Sequence, residues 1–249
     1  MKISIITVSY NAEKTLGRTL VSVAQQTYPN VEHILIDGGS IDASMDIAAK
    51  SGKHLAKSLS GPDKGIYDAM NKGLELATGD VVAFLNADDF YASEDILSQV
   101  AGAMVTSQLD ILTGNVAFFR PESEDRIVRV YNSGRFEIQK LATGLMPAHP
   151  ALFIRREALV RAGGFKIDYK IAGDFELIAR ILTQQKVKMG HLPKIFVKMQ
   201  LGGISTSGWG ARFLTNREIL RACAENGIKT NLLKIWLRYP RKLLELNWL

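Results

Sequence analysis

The stretch GPDKGIYDAMNKGLELATGDVVAFLNADD, residues 61–89, holds the pattern that decides the fold. A Gly-Pro turn opens it, an amphipathic segment follows, and after a Thr-Gly-Asp turn an apolar run ends abruptly in Asn86-Ala87-Asp88-Asp89. Helical spacing followed at once by a short, continuously apolar strand (DVVAFL, 80–85) reads as one crossover of a parallel sheet covered on both faces. Within the helix, Ile66, Ala69, Met70, Leu74 and Ala77 fall on the inward stripe, and Asp68, Asn71 and Glu75 share another face.

The same alternation runs through the first half. ISIITV (3–8), VEHILI (31–36) and KHLAKSL (53–59) read as strands, and residues 13–26, 42–50, 65–77 and 93–106 have helical spacing. An open α/β sheet carries its ligand at the carboxyl ends of its strands, near the switch in strand order. Ser9-Tyr10-Asn11, Asp37-Gly38-Gly39-Ser40 and Asn86-Ala87-Asp88-Asp89 all follow such ends and are expected on one edge. Beyond residue 107, DILTGNVAFFR, RIVRVY and 186–200 read as strands of a mixed or antiparallel extension. RREALVRAGG (155–164) and GDFELIARILTQQ (173–185) read as helices, and residues 207–249 as a helical appendage. With no repeat or Pro/Gly-rich linker, one continuous domain is expected.

Composition bounds the function classes. The 249 residues are 47% apolar and 22% charged, values of an ordinary globular protein rather than a disordered one. The net charge of +6 favours anionic partners without choosing among phosphates, nucleic acid and acidic lipid, and also fits a solvated basic surface. Cys223 is the only cysteine, so no internal disulfide can form and a reducing compartment is expected, with Cys223 a buried thiol. No signal peptide or membrane-spanning run is read, and a cytoplasmic location follows as an expectation.

Two adjacent carboxylates on a strand-end loop repel one another unless a cation sits beside them. Mg²⁺ and Mn²⁺ prefer hard oxygen ligands and take one or two carboxylates plus substrate phosphates. Asp is also common in turns and at helix N-caps, although Ser93 is available to cap the helix that follows. No GxGxxG follows the first strand and no GxxxxGK[ST] occurs, which argues against the dinucleotide and P-loop fingerprints.

The ordered set ITVSYNAEKTL, ILIDGGSIDAS, GPDKGIYDAMNKGLELATGDVVAFLNADD, AHPALFIRREAL, AGDFELIAR and LGGIST resembles the family-two glycosyltransferases. The similarity runs over residues 3–206 and is greatest to bacterial enzymes that build exopolysaccharide, colanic-acid and lipopolysaccharide repeat units. It implies a GT-A fold, a Rossmann-like mixed sheet flanked by helices, with residues 1–106 as the nucleotide-binding half and 107–206 as the acceptor-side half. Tyr10, Asn11 and Glu13 match the first-strand loop that holds base and ribose. Asp37 matches the first acid of an Asp-Asp-Gly-Ser turn that contacts the base, with Gly38 in place of the second. Lys64, Gly65 and Asn71 fall in the segment that closes over nucleotide and donor sugar. Asn86-Ala87-Asp88 occupies the Asp-x-Asp position, which makes Asp88 the ligand of a divalent cation, Mn²⁺ or Mg²⁺, and Asp89 an orienter of its loop.

Asp174 matches the catalytic acid residue of a Glu-Asp motif whose first member is here Gly173; a helix cap is its ordinary alternative. Glu176 lies two residues on and is the weaker candidate. His149 in PAHPALF matches a His frequent near donor and acceptor sites, and Gly203 and Ser205 belong to a loop that can close on the diphosphate. At the C-terminus, Leu232, Leu233, Trp236, Leu237, Leu243 and Leu244 fall on one stripe and Lys234, Arg238, Arg241 and Glu245 on the other, with Pro240 between. That helix either docks on the domain or lies on anionic lipid.

The resemblance implies an inverting, single-addition enzyme that moves a sugar from a nucleoside diphosphate donor, a UDP-sugar, to a lipid-linked glycan. The expected partners are that donor, that acceptor and the inner face of an anionic membrane, with no nucleic acid. A sugar nucleotidyltransferase is the first rival, although its Gly-x-Gly-x-Arg loop is missing. A GT-A scaffold that binds a glycan or membrane partner is the second, kept in view by Gly38, Asn86 and Gly173.

Overall fold

Ile3 and Ile5 of the first strand pack into one apolar core, while Ile6 and Val8 pack into another on the opposite face. That period-two alternation makes the strand the centre of a layered α/β/α body. The protein is described by a computed structural model that covers residues 1–52, 54–121, 123–201, 208–236 and 238. The first half runs β1 (Ile3–Ser9), α1 (Leu16–Ala24), β2 (Val31–Asp37), α2 (Ser44–Ser51), β3 (Leu55–Ser60), α3 (Ile66–Leu76) and β4 (Val81–Phe84). It continues through β5 (Phe90–Tyr91), α4 (Ile96–Thr106), β6 (Ile111–Arg120), β7 (Ser123–Tyr131) and β8 (Leu152–Arg155). The remainder is α5 (Arg156–Ala162), α6 (Gly173–Gln184), β9 (Met189–Gln200), α7 (Gly208–Glu225) and α8 (Leu232–Trp236).

The strands form one sheet in the order β3-β2-β1-β4-β8-β6-β9-β5, with β7 paired to β6. β1, β2, β3 and β4 are parallel, and β8 joins β4 antiparallel through Val81↔Arg155 and Val82↔Ile154. The order therefore switches between β1 and β4, so the loops after these two strands open side by side. One face of the sheet is covered by α3, α5, α6 and α7 and the other by α4, while α1 and α2 close on Leu35 of β2. The mixed sheet with flanking helices is the architecture expected from the sequence.

The differences are local. Ile66 is 41% exposed and Tyr67 takes the inward position, at 5%. The cause is the Tyr67 hydroxyl, which donates to the Ile171 carbonyl and accepts the Gly173 N–H, at 2.7 and 2.9 Å. Ser93 does not cap α4: its hydroxyl donates to Asp95, which itself makes no capping bond. The two-residue β5 and the short β8 carry no periodic signal, because their pairing is set by β9, β4 and β6 rather than by their own sequence. β3 begins at Leu55, and Lys53 lies outside the described residues.

The C-terminal stripe is turned over. Leu232, Leu233 and Trp236 are 55–72% exposed, whereas Ile235 is buried and Arg238 is 6% exposed. Arg238 donates to Asn216 Oδ1 and to the Gly144 carbonyl, so a guanidinium with fixed acceptors docks this end and the larger apolar residues face out. Leu237 and residues 239–249, including Pro240, Arg241, Leu243, Leu244 and Glu245, lie outside the described residues.

Candidate active site

The loops after β1 and β2 are latched together. Asn11, held at φ 49°, accepts the Ile41 N–H on its side-chain oxygen, and its own N–H donates to Ser40. Glu13 accepts the Ala43 N–H while its N–H donates to Asp42. These bonds hold residues 11–13 out of helical geometry and delay α1 to Leu16. Tyr10 stands at the tip, 66% exposed.

Asp37 is the centre of this corner. Its carboxylate accepts hydrogen bonds from Ser9 Oγ, Gly39 N, Ser40 N, Ser40 Oγ and Ser60 Oγ. Burial alone would raise its pKa, but the bonds from Ser40, Ser60 and Ser9 outweigh that and hold it below the ordinary aspartate value. With its oxygens so occupied, Asp37 ties three strand ends together and presents little free acceptor capacity. The space over Gly38 is taken by another acid: a side-chain carbon built there would lie 2.6 Å from Asp63 Oδ2 and 3.4 Å from the Tyr10 ring. Asp63 is in turn fixed by the Gly65 N–H at 2.8 Å. Sequence reading missed Asp63 because its position shows only once the 61–65 turn folds back over residue 38.

The strand-end acids behave differently. Thr19 Oγ1 bonds the carbonyls of Ala87 and Asp89, and Arg18 donates to the Asp88 carbonyl, so α1 braces the loop by its backbone. Arg18 also stacks on Phe90, 4.4 Å from the ring centre. Their side chains are less well met, although the Asn86 amide and the Arg18 charge act on Asp89. Asn86 Oδ1 and both carboxylate oxygens of Asp89 are buried without a hydrogen-bond partner. Burial, with the Asp88 carboxylate beside it, pushes the Asp89 pKa well above the ordinary value. Orphaned buried oxygens are costly, and a divalent cation satisfies such oxygens. The donor set at Asn86, Asp88 and Asp89 fits such an ion. Among the described residues no group of three or more His, Cys, Asp or Glu side chains is placed to hold a metal ion.

Across Phe84, the last residue of β4, lies the second half of the site. His149 stacks on Phe84 with ring centres 6.2 Å apart, and Phe165 packs edge-on to Phe84 and flat against Tyr67. Asp174 is the second residue of α6, and its Oδ1 accepts the Phe175 N–H at 2.8 Å. Burial raises its pKa, opposed by His149, while Glu218 adds to the rise. Burial lowers the His149 pKa, and Asp174 opposes that. Asp174 Oδ1 thus meets one first-turn N–H of its own helix, while the N–H groups of Ala172 and Gly173 just before it are met by Glu218 and Tyr67. The missing Glu at 173 has a steric cause: a side-chain carbon there would fall 2.7–2.9 Å from the Tyr67 ring. Glu176 is fully buried and paired with Arg180 and Lys166, which engages it structurally.

Other expected residues are placed less centrally. The Asn71 amide makes a reciprocal pair with the backbone of Phe165, at 2.8 Å each way, and so ties α3 to the second half. Lys64 is exposed beside Gly65, whose φ of 115° suits glycine. Gly203 and Ser205 lie outside the described residues. Cys223 is buried, with its thiol pushed up to about 11 by burial.

Residues 4–162, well over half of the chain, match the model of "Glycosyl transferase family 2". The chain is 30% identical over 219 residues to a PGL/p-HBAD biosynthesis glycosyltransferase of Mycobacterium bovis, covering 85% of this chain and 82% of that one. An uncharacterized glycosyltransferase of Haemophilus influenzae is 34% identical over 212 residues, covering 82% and 81%. Among solved structures, S. aureus TarS 1–349 in complex with UDP-GlcNAc superposes with a TM-score of 0.70 at 20% identity, over 89% of this chain and 66% of that one. The chain spans 39% of the longer TarS structure. The mannosyltransferase PcManGT from Pyrobaculum calidifontis, in complex with GDP-Man and Mn²⁺, gives a TM-score of 0.66 at 21% identity, over 90% and 63%. With the strand-end acids, the switch-point loops and the mixed sheet in place, the chain belongs to glycosyl transferase family 2 and is a glycosyltransferase of GT-A fold.

Proposed function

We propose that the protein transfers one sugar from a nucleoside diphosphate donor, a UDP-sugar, to a hydroxyl of a lipid-linked glycan in surface polysaccharide synthesis, with inversion. One observation carries the reading: unsatisfied oxygens of Asn86 and Asp89 beside Asp88 sit at the end of β4, and Asp174 sits across Phe84 and His149 from them. The first arrangement suits a diphosphate, the second an attacking hydroxyl.

Tyr10 and the Asp63 carboxylate over Gly38 border the nucleoside side, with Asn11, Glu13 and Asp37 shaping that corner and Lys64, Gly65 and Asn71 flanking it. Asn86, Ala87 and Asp88 face the donor diphosphate. A divalent cation, Mn²⁺ or Mg²⁺, would be held by Asp88 with Asn86 and Asp89 beside it, and supplies Lewis-acid charge for the departing group. An acceptor hydroxyl becomes an adequate nucleophile when its proton is removed as its oxygen bonds the anomeric carbon. Asp174 takes that proton while the bond to the diphosphate oxygen breaks. A carboxyl whose pKa is raised by burial is a stronger base than a free aspartate. Base help of this kind gives ~10²–10⁴-fold, roughly 3–5 kcal/mol of barrier. His149 borders the base, and Gly203 and Ser205 remain candidates for the diphosphate loop.

Residues 1–206 would form the catalytic domain and 207–249 the extension. No described helix is long and apolar enough to cross a membrane. Exposed Phe213, Leu232, Leu233 and Trp236, on helices that also carry Arg212, Arg217 and Lys234, support peripheral contact with the anionic inner face of a cytoplasmic membrane. A panel of UDP-, GDP- and dTDP-sugars, assayed for Mn²⁺- or Mg²⁺-dependent release of nucleoside diphosphate, tests the reaction. Release from a UDP-sugar is expected. Pyrophosphate release from a nucleoside triphosphate, with no donor cleaved, would overturn it.

A further inference from the structure

We propose that Glu218, on α7 of the C-terminal extension, is a positioning residue for transfer that holds the turn carrying Asp174. This rests on the reading of Asp174 as the base. The Glu218 carboxylate is buried and accepts three consecutive backbone N–H groups, from Lys170, Ile171 and Ala172, at 2.8, 2.9 and 2.8 Å. Ala172 is the N-cap of α6, and the three N–H groups that Glu218 takes are those of the turn leading into the helix, ending at this N-cap. From the other side, the Tyr67 hydroxyl donates to the Ile171 carbonyl and accepts the Gly173 N–H. The four residues before Asp174 are thus gripped by α3 of the nucleotide-binding half and by α7 of the extension. Both grips are made to the backbone of the turn. Together they fix where the base stands relative to the donor loop, and misplacing a reacting group by about 1 Å can cost ~10²-fold in rate.

A second set of contacts on the same helix separates docking from positioning. Glu225 pairs with Lys166 and Arg221 and accepts the Tyr169 hydroxyl, while Arg221 also pairs with Asp168. These bonds attach α7 ahead of the turn and do not reach residues 170–173. Glu225→Gln therefore loosens docking and leaves the turn held, whereas Glu218→Gln keeps side-chain size but cannot accept three N–H groups.

The groups that face Asp174 are His149, Tyr67 from α3 and Glu218 from α7. Removing the Glu218 charge takes away one of the influences that raise the Asp174 pKa, so the acid limb of the pH–rate profile moves to lower pH. That shift reports the lost charge, and the split between kcat and UDP affinity reports the lost positioning.

The experiment measures kcat and KM for the cleaved donor against pH, and UDP affinity with Mn²⁺ by calorimetry, for wild type, Glu218→Gln, Glu225→Gln and Asp174→Asn. Glu218→Gln is expected to lose ~10- to 100-fold in kcat, with UDP affinity and donor KM retained and the acid limb displaced downward. Glu225→Gln is expected to keep most of its kcat. Wild-type kcat in Glu218→Gln, equal losses in both Glu variants, or a fall of UDP affinity in step with kcat would overturn the assignment. Retained activity in Asp174→Asn would instead remove the base reading itself.

Discussion

Asp37 and the Asp88–Asp89 pair both follow a parallel strand at the same edge of the sheet, yet their surroundings are opposite. Asp37 accepts five hydrogen bonds from four residues and is held ionised. The Asp89 oxygens and Asn86 Oδ1 are buried with no hydrogen bond of good geometry, and only the neighbouring Asn86 amide and the Arg18 charge ease the burial of Asp89. A carboxylate saturated by its own chain is a structural knot, whereas one left unsatisfied at the same depth is kept for a ligand. The comparison turns the fold into a functional map, and it can be broken from either side.

The largest effects should come from the acids proposed to hold the cation and to take the acceptor proton. Asp88→Ala and Asp174→Asn are each expected to lower donor turnover by ~10²–10⁴-fold, with Asp174→Asn retaining Mn²⁺-dependent UDP binding. Steady-state rates together with calorimetry check this, and near-normal turnover in Asp174→Asn would contradict it. Next comes the knot. Asp37→Asn puts an amide where N–H donors converge and should cost about 1–3 kcal/mol of stability, read as a lower urea midpoint. An unchanged midpoint with UDP binding lost would show that Asp37 serves the ligand after all.

A third substitution probes the steric account of a family departure. Gly173→Glu drives a side chain into the Tyr67 ring and should lower both stability and kcat, because the turn before Asp174 must move. A variant as active and as stable as wild type would show that the ring yields freely.

The last effect lies away from the site and leaves activity at neutral pH untouched. His33 is fully buried in a chain from Thr7 to His54, and burial, then His54, lowers its pKa from 6.5 to about 3. Below pH 6.5 the unfolded chain takes up a proton that the folded chain refuses, so stability falls as pH drops from 6.5 toward 3. The slope is at most about 1.4 kcal/mol per pH unit. Denaturant midpoints should show this decline, and His33→Gln should flatten it; a flat wild-type curve between those pH values would refute it.

Much of this was legible in the sequence, for identifiable reasons. Continuous apolar runs fix β1, β2 and β4, and the spacing of Ala69, Met70 and Leu74 fixes α3. Asp88, Asp174 and His149 were nominated from the family resemblance, and their roles are proposals. Partners brought in by tertiary contact stayed hidden. Tyr67 was left off the inward stripe of α3, because the groups its hydroxyl bonds, at Ile171 and Gly173, lie 104 and 106 residues away. Asp63 becomes a neighbour of Gly38 only when the turn folds, and Glu218 looks like one of many charges on α7. The inverted α8 stripe has the same origin: Arg238 has acceptors at Asn216 and Gly144 that periodicity cannot see.

The account stands on the claim that the end of β4 gathers a cation and a diphosphate together. Calorimetric titration of UDP into the wild-type protein and Asp88→Ala, each with Mn²⁺ and with chelator, measures it directly. Tight binding only in wild type with Mn²⁺ is the predicted result. Equal UDP affinity in all four titrations would contradict the claim.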